Sequence, residues 1–220
     1  LAAMTLVAGS AFAQTTPAPN KNDLSYALGY DLGRNLVESG EAIDVNTVIK
    51  ALQEGYGKKD PTVPVAQLRT AVETMQKRQM EKAKVAFDKA SAENKTKSDQ
   101  FIASFKAQPG VKTLPGGVAY KVLENGTGAK PTQASTVELQ VAGAYPFGQR
   151  PSEARPPQQM KDVKVSAIEM QAMRDVLLQM PVGSKWEVAL PPDKAYGADP
   201  RTGFPPNVAV VFEIKLVSAK

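Results

Sequence analysis

Between Pro64 and Pro109 the chain contains neither glycine nor proline. Nothing in that interval interrupts helical hydrogen bonding. Leu68, Val72 and Met75, followed by Met80, Ala83, Phe87 and Ala90, fall near helical spacing. The spacing predicts one connecting helix over residues 64–108. About forty residues at 1.5 Å each extend about 60 Å. From Glu81 to Lys97 the stretch is rich in Ala, Lys and Glu, so the helix is expected to act as a spacer rather than as core.

What flanks this rod differs on its two sides. Upstream, Asp23 reads as a helix N-cap, with Leu24, Leu28, Leu32 and Leu36 repeating every four residues up to Gly40. Asp44 or Asn46 is expected to cap a second, short helix with Val45, Val48, Ile49 and Leu52 on one face. Two such helices cannot enclose a core alone, and an intertwined second copy of the chain is the simplest source of the missing surface. Downstream, Pro109-Gly110 ends the rod and the period changes to that of strands. Val118–Leu123, Thr136–Val141, Lys161–Val165, Lys185–Leu190 and Val208–Val217 read as strands, with Asn125-Gly126-Thr127-Gly128 as a turn. Met173, Val176, Leu177 and Met180 lie at i, i+3, i+4 and i+7, one face of a helix. The expected fold class is α+β: a curved antiparallel sheet wrapped around one short helix, preceded by an all-helical module.

Composition narrows the chemistry. The 220 residues include no Cys and no His. Disulfides, thiolate-zinc sites and thiol nucleophiles are excluded, as are the usual neutral-pH general base and most hydrolytic triads. No phosphate-binding glycine loop is present. An enzyme built from this chain should need no metal or other cofactor and little proton transfer. The formal net charge is +5, but the lysines of the rod alternate with Glu81, Asp88, Glu93 and Asp99, as on a solvated face. Only Phe87 stands among them to stack on a base, so no nucleic-acid partner is expected.

Leu1 to Ala13 reads as the apolar part of an export signal ending in the small-x-small site Ala11-Phe12-Ala13. It is too short to span a bilayer, and no other segment is expected to cross one. Residues 14–21 read as a disordered leader. The expected organisation is therefore 1–13 signal remnant, 14–21 leader, 22–63 helical dimerisation module, 64–108 connecting helix and 109–220 sheet domain.

The order Met180-Pro181-Val182-Gly183, Trp186-Glu187-Val188, Ala195-Tyr196-Gly197, Phe204-Pro205-Pro206-Asn207 and Val210-Val211-Phe212-Glu213-Ile214 resembles the end of an FKBP-type peptidyl-prolyl isomerase domain. Leu24-Ser25-Tyr26-Ala27-Leu28-Gly29, Asp31-Leu32-Gly33, the long helix and Pro115-Gly116-Gly117-Val118-Ala119-Tyr120-Lys121-Val122 extend the resemblance to the Mip and FkpA type over nearly all of the chain after the signal. The resemblance implies a V-shaped homodimer, joined by the N-terminal helices and carrying two isomerase domains on long stalks. It implies periplasmic or outer-surface localisation in a Gram-negative bacterium, unfolded or proline-containing polypeptides as partners, and macrolide inhibitors as ligands of the proline pocket.

By the same resemblance, Tyr196 is the hydrogen-bonding hydroxyl of the pocket and Phe212 a wall. Phe204 stands where the family has an aliphatic residue. Met173 takes the place of the tryptophan that floors the pocket, and Met170, or Ile168 if the alignment slips, replaces part of a Val-Ile pair. In Leu139-Gln140-Val141-Ala142-Gly143, Val141 replaces a pocket tyrosine. The family's Phe-Asp pair falls near Pro151-Ser152, removing an aromatic wall and a buried carboxylate. The segment Tyr145 to Pro157 has no clear family counterpart, and either Tyr145 or Phe147 is a candidate for the missing wall. The expected function is peptidyl-prolyl isomerisation that assists folding of exported proteins. The rival is a dimeric folding chaperone on the same scaffold with little isomerase activity.

Overall fold

The structure, a computed structural model, describes Ala18 and residues 20–220. The expected export signal and most of the leader lie outside the described residues. The chain divides into two compact units, one ending at Arg78 and the other running from Gln79 to Lys220.

In the first unit, α1 spans Lys21–Glu38 and α2 spans Val45–Tyr56. The cap of α1 is Asn20 rather than Asp23, because the Asn20 carboxamide reaches the Asn22 amide at 2.9 Å. Asp23 sits in the first turn instead, where the helix dipole favours an anion. Asp44 caps α2 as expected, accepting from the Asn46 amide at 3.1 Å and the Thr47 hydroxyl at 2.6 Å. Those bonds hold its carboxyl below the usual range. Neither helix buries a single residue. Leu24, Leu28, Ile49 and Leu52 are 48%, 65%, 50% and 54% exposed, so the apolar stripes seen in the sequence are only partly covered within the unit.

The connecting helix, α3, spans Val65–Lys106 without a break. Its last turns depart from the expected spacer role. Phe101, Ile102 and Phe105 pack with Ala119, Ala189, Ala209 and Val211 of the sheet domain, forming a small second core. Ser98 is fully buried there. Its hydroxyl accepts from the Ala209 amide at 2.7 Å and donates to the Asn207 carbonyl at 2.8 Å, so its burial costs little. Asn94 and Ser91 also hydrogen-bond the 206–207 backbone or side chain.

The sheet comprises β1 (Val111–Thr113), β2 (Ala119–Glu124), β3 (Thr136–Pro146), β4 (Gln158–Lys164), β5 (Lys185–Leu190) and β6 (Val210–Ala219). Their order is β1-β2-β5-β6-β3-β4, with antiparallel neighbours throughout. The helix α4, Gln171–Leu177, buries Ala172, Met173, Val176 and Leu177. It lies on the inner face with Val137, Leu139, Trp186, Val188, Leu190, Val210, Phe212, Ile214 and Leu216. Trp186 stacks on Tyr120, ring centroids 4.1 Å apart, and serves packing. Turn geometry fixes the strand connections. A Cβ on Gly126 would stand 2.7 Å from the Pro181 carbonyl oxygen, so only glycine lets this turn lie against the Pro181–Ser184 backbone.

The sequence placed the end of the second predicted strand at Val141, but the corresponding strand, β3, continues to Pro146. Along it, Ala142 faces Glu213 and Tyr145 faces Val211. Three steps on β3 match two on β6, which defines a bulge. The extra residue shifts the alternation, so that Ala144 packs on the inner core and Tyr145 on the outer one.

Candidate functional site

The residues singled out in the sequence all belong to the inner core or pack against it. Phe212 of β6 and Met173 of α4 are buried members of that core, 6% and 9% exposed. Val141 of β3, Met170 at the N-cap of α4, Tyr196 and Phe204 are partly buried and pack against it. Ile168, the alternative to Met170, packs there as well. Each position follows from local structure. Val141 is paired with Ile214 on one side and Gln158 on the other, which leaves its side chain on the inner face next to the row containing Phe212. Met170 and Met173 lie one helical turn apart.

Tyr196 and Phe204 come from the long connection between β5 and β6. A short 3-10 turn at Pro192–Lys194 precedes Tyr196, and the Gly197 amide returns to the Pro192 carbonyl at 2.8 Å. A second turn, Pro200–Thr202, precedes Phe204. Asp199 caps it through the Arg201 amide at 2.9 Å and pairs with the Arg201 guanidinium at 2.7 Å. That guanidinium and amide hold the Asp199 carboxyl at about 2. The outcome is a stacked pair: the Tyr196 and Phe204 rings lie 4.2 Å apart and within 10° of parallel. Burial pushes the Tyr196 phenol above its ordinary value, so at neutral pH it is an O–H donor.

Two residues left open by the sequence now have places. Phe147 packs against the inner core beside these residues. It stands just past the end of β3 at φ 50°, its amide bonded to the Ala209 carbonyl at 2.8 Å. Tyr145 lies on the opposite face. The only sequence signal for Phe147 was its aromatic character in an unassigned segment; the signal for the bulge that turns Tyr145 outward was Gly143 within the strand. Among the described residues, Ser98 and Ser184 are the buried polar side chains. The inner core therefore holds no carboxylate, in keeping with the loss of the family's Phe-Asp pair.

The arrangement is an apolar cluster of aromatic, thioether and branched side chains carrying one neutral phenol. It offers no acid–base pair, and among the described residues no group of acidic side chains is placed to hold a metal. Side chains of this kind suit contact with an apolar ring, and a neutral phenol suits donation to a carbonyl. A six-stranded antiparallel sheet around one helix with this rim is the layout of an FKBP-type domain.

The chain belongs to the FKBP-type peptidyl-prolyl cis-trans isomerase family. Residues 21–122 match the domain amino-terminal to FKBP-type peptidyl-prolyl isomerase, and residues 127–217 match the FKBP-type peptidyl-prolyl cis-trans isomerase domain itself. It is 34% identical over 209 residues to the Outer membrane protein MIP of Legionella longbeachae, covering 94% of this chain and 88% of that one. It is 29% identical over 217 residues to the Peptidyl-prolyl cis-trans isomerase Mip of Coxiella burnetii, covering 98% and 94%. The crystal structure of FkpA from Escherichia coli superposes with a TM-score of 0.66 at 25% identity, covering 91% of this chain and 97% of that one.

Proposed function

We propose that this chain accelerates cis–trans isomerisation of X-Pro bonds in exported polypeptides, with the proline ring held at the rim formed by Phe212, Met173, Met170, Val141 and Phe204. Rotation about the X-Pro bond takes tens to hundreds of seconds unaided. In the twisted transition state the amide loses resonance and its carbonyl becomes less polar. An apolar cradle then favours the twisted form over the planar one. Tyr196 donates a hydrogen bond to a neighbouring substrate carbonyl and fixes the chain on either side of the bond. Phe147 supplies the aromatic wall lost at Pro151-Ser152. The observation that supports this reading is that these side chains are buried in, or pack against, the same inner core that holds Phe212 and Met173.

The test is an X-Pro tetrapeptide isomerisation assay. Tyr196→Phe is expected to slow turnover about tenfold, equivalent to one hydrogen bond of about 1.4 kcal/mol. Its melting temperature should stay unchanged, because the hydroxyl makes no hydrogen bond among the described residues. Retention of full activity would remove Tyr196 from the mechanism.

A second reading is favoured by one specific set of observations: Val141 brings no hydroxyl, the inner core holds no carboxylate among the described residues, and the Phe204 ring already covers the Tyr196 ring. In that reading the chain is a folding chaperone with little isomerase activity. Absence of tetrapeptide turnover together with suppressed aggregation of a denatured client would select it. In either reading the bare faces of α1 and α2 support a homodimer through the N-terminal helices, since no residue of either helix is buried within the chain. Similarity to a relative named an outer membrane protein supports an envelope location, periplasmic or outer-surface. No described helix is long and apolar enough to cross a membrane. Macrolides that mimic a proline ring are expected to compete for the same rim.

A further inference from the structure

On β6, Phe212 faces the inner core while Glu213 and Lys215 point to the other side of the sheet. There, two cavities of about 240 and 720 Å³ share Ala142, Tyr145, Arg150, Pro151 and Arg155 and so form one trough, whose larger end reaches round the β3 bulge to Val141 and Ala144. We infer that this trough is a second polypeptide-binding site, one that takes an extended segment bearing carboxylates.

Shape supports the first half of the inference. The residues of β3 from Gln140 to Pro146 line the trough along its length. At about 3.3 Å per residue this is roughly 20 Å, room for about six extended residues. Ala142 contributes only a methyl group to the floor, which leaves it deep. The Tyr145 ring forms a wall, with the Arg150 guanidinium 4.9 Å from its centroid. The guanidinium is held there by Glu213 at 2.8 Å and Glu187 at 3.1 Å. The facing wall carries Pro151, Pro156 and Pro157. Proline rings fix their own backbone, so this wall loses little freedom when a ligand binds.

Charge supports the second half. The smaller cavity is lined by Arg150, Arg155, Lys185 and Lys215 against the single carboxylate of Glu213. Burial alone would push Glu213 up, yet Lys185 at 2.7 Å and Arg150 hold it below the usual range. Lys215 pairs with Glu124. Arg155 is exposed and makes no ion pair among the described residues. The trough therefore keeps one uncompensated guanidinium beside an aromatic and proline-lined surface. An acidic, extended segment complements it, and a basic one is repelled.

The probe is a fluorescein-labelled, proline-free octapeptide alternating Glu with Val, titrated against the full chain by fluorescence anisotropy. Omitting proline keeps it from the isomerase rim, so failure here and failure of the isomerase reading are separate results. The Glu peptide is expected to bind roughly tenfold or more tightly than its Lys counterpart and to weaken as salt is raised. Arg155→Glu should lower that affinity roughly tenfold while tetrapeptide isomerisation stays within about twofold of the parent. Ala142→Tyr, which fills the floor, should give the same loss. If that variant fails to fold, Arg155→Glu at its exposed position still decides. Equal binding of the two peptides, or unchanged affinity in Arg155→Glu, overturns the inference.

Discussion

Tyr196 is the one group at the candidate rim whose protonation matters, and its surroundings fix the sign of its pH response. Burial raises its phenol pKa above the ordinary 10.0. The folded protein therefore keeps the hydroxyl protonated at pH values where an unfolded chain would begin to lose it. Its contribution to stability is fully present below the unfolded value and is lost as pH rises through the raised one. No histidine exists to titrate below it. Tetrapeptide isomerisation should accordingly be flat from about pH 6 to pH 9 and fall only above about pH 10. A bell-shaped profile centred near neutrality would point to a general acid or base that this rim does not contain.

At the scale of elements, the bulge in β3 sends Tyr145 to the outer face, while Phe147, past the strand end at φ 50°, packs on the inner core. Gly143 sits within the bulge at φ 111°, and a Cβ there would stand 2.6 Å from the Val211 carbonyl oxygen and 3.3 Å from the Phe212 ring. Gly143→Ala should destabilise the protein by more than about 1 kcal/mol and disturb Phe212, lowering isomerisation beyond the loss of folded protein. Thermal melts and activity per folded molecule separate the two effects. The strands themselves were legible in the sequence because alternation marks a half-buried sheet, and the face of α4 because its spacing marks a helix. Parity within β3 was not legible from alternation alone: straight alternation from Val141 puts Tyr145 inside, and the bulge puts it outside. Three-residue β1 is too short for any alternation to register; it is set by pairing with β2 across the turn from Leu114 to Val118. Ser98, a small polar residue in a Lys-rich run, gave no hint of a core position. Phe204 was legible as a departure from the family, but its stack on Tyr196 depends on the capped Pro200–Thr202 turn.

For the molecule as a whole, the second compact unit begins inside α3, at Gln79, and not where the helix ends. A piece comprising residues 79–220 should fold and be monomeric in light scattering, whereas the full chain, with its bare α1 and α2, should be dimeric. A piece starting at residue 109 should melt at least about 10 °C lower than the longer one, because it leaves the outer face of the sheet without Ile102 and Phe105. A dimer persisting in residues 79–220 would place the self-association surface elsewhere than on the N-terminal helices.

The buried hydroxyl of Ser98 makes the end of α3 and the entry to β6 a single cooperative piece. The Ala209 amide can reach solvent only when the helix peels away. A chaperone client, a protease or a rise in temperature that frays those last turns would also loosen the strand that carries Phe212. The wall proposed for the proline site is thus no tougher than the serine latch behind it.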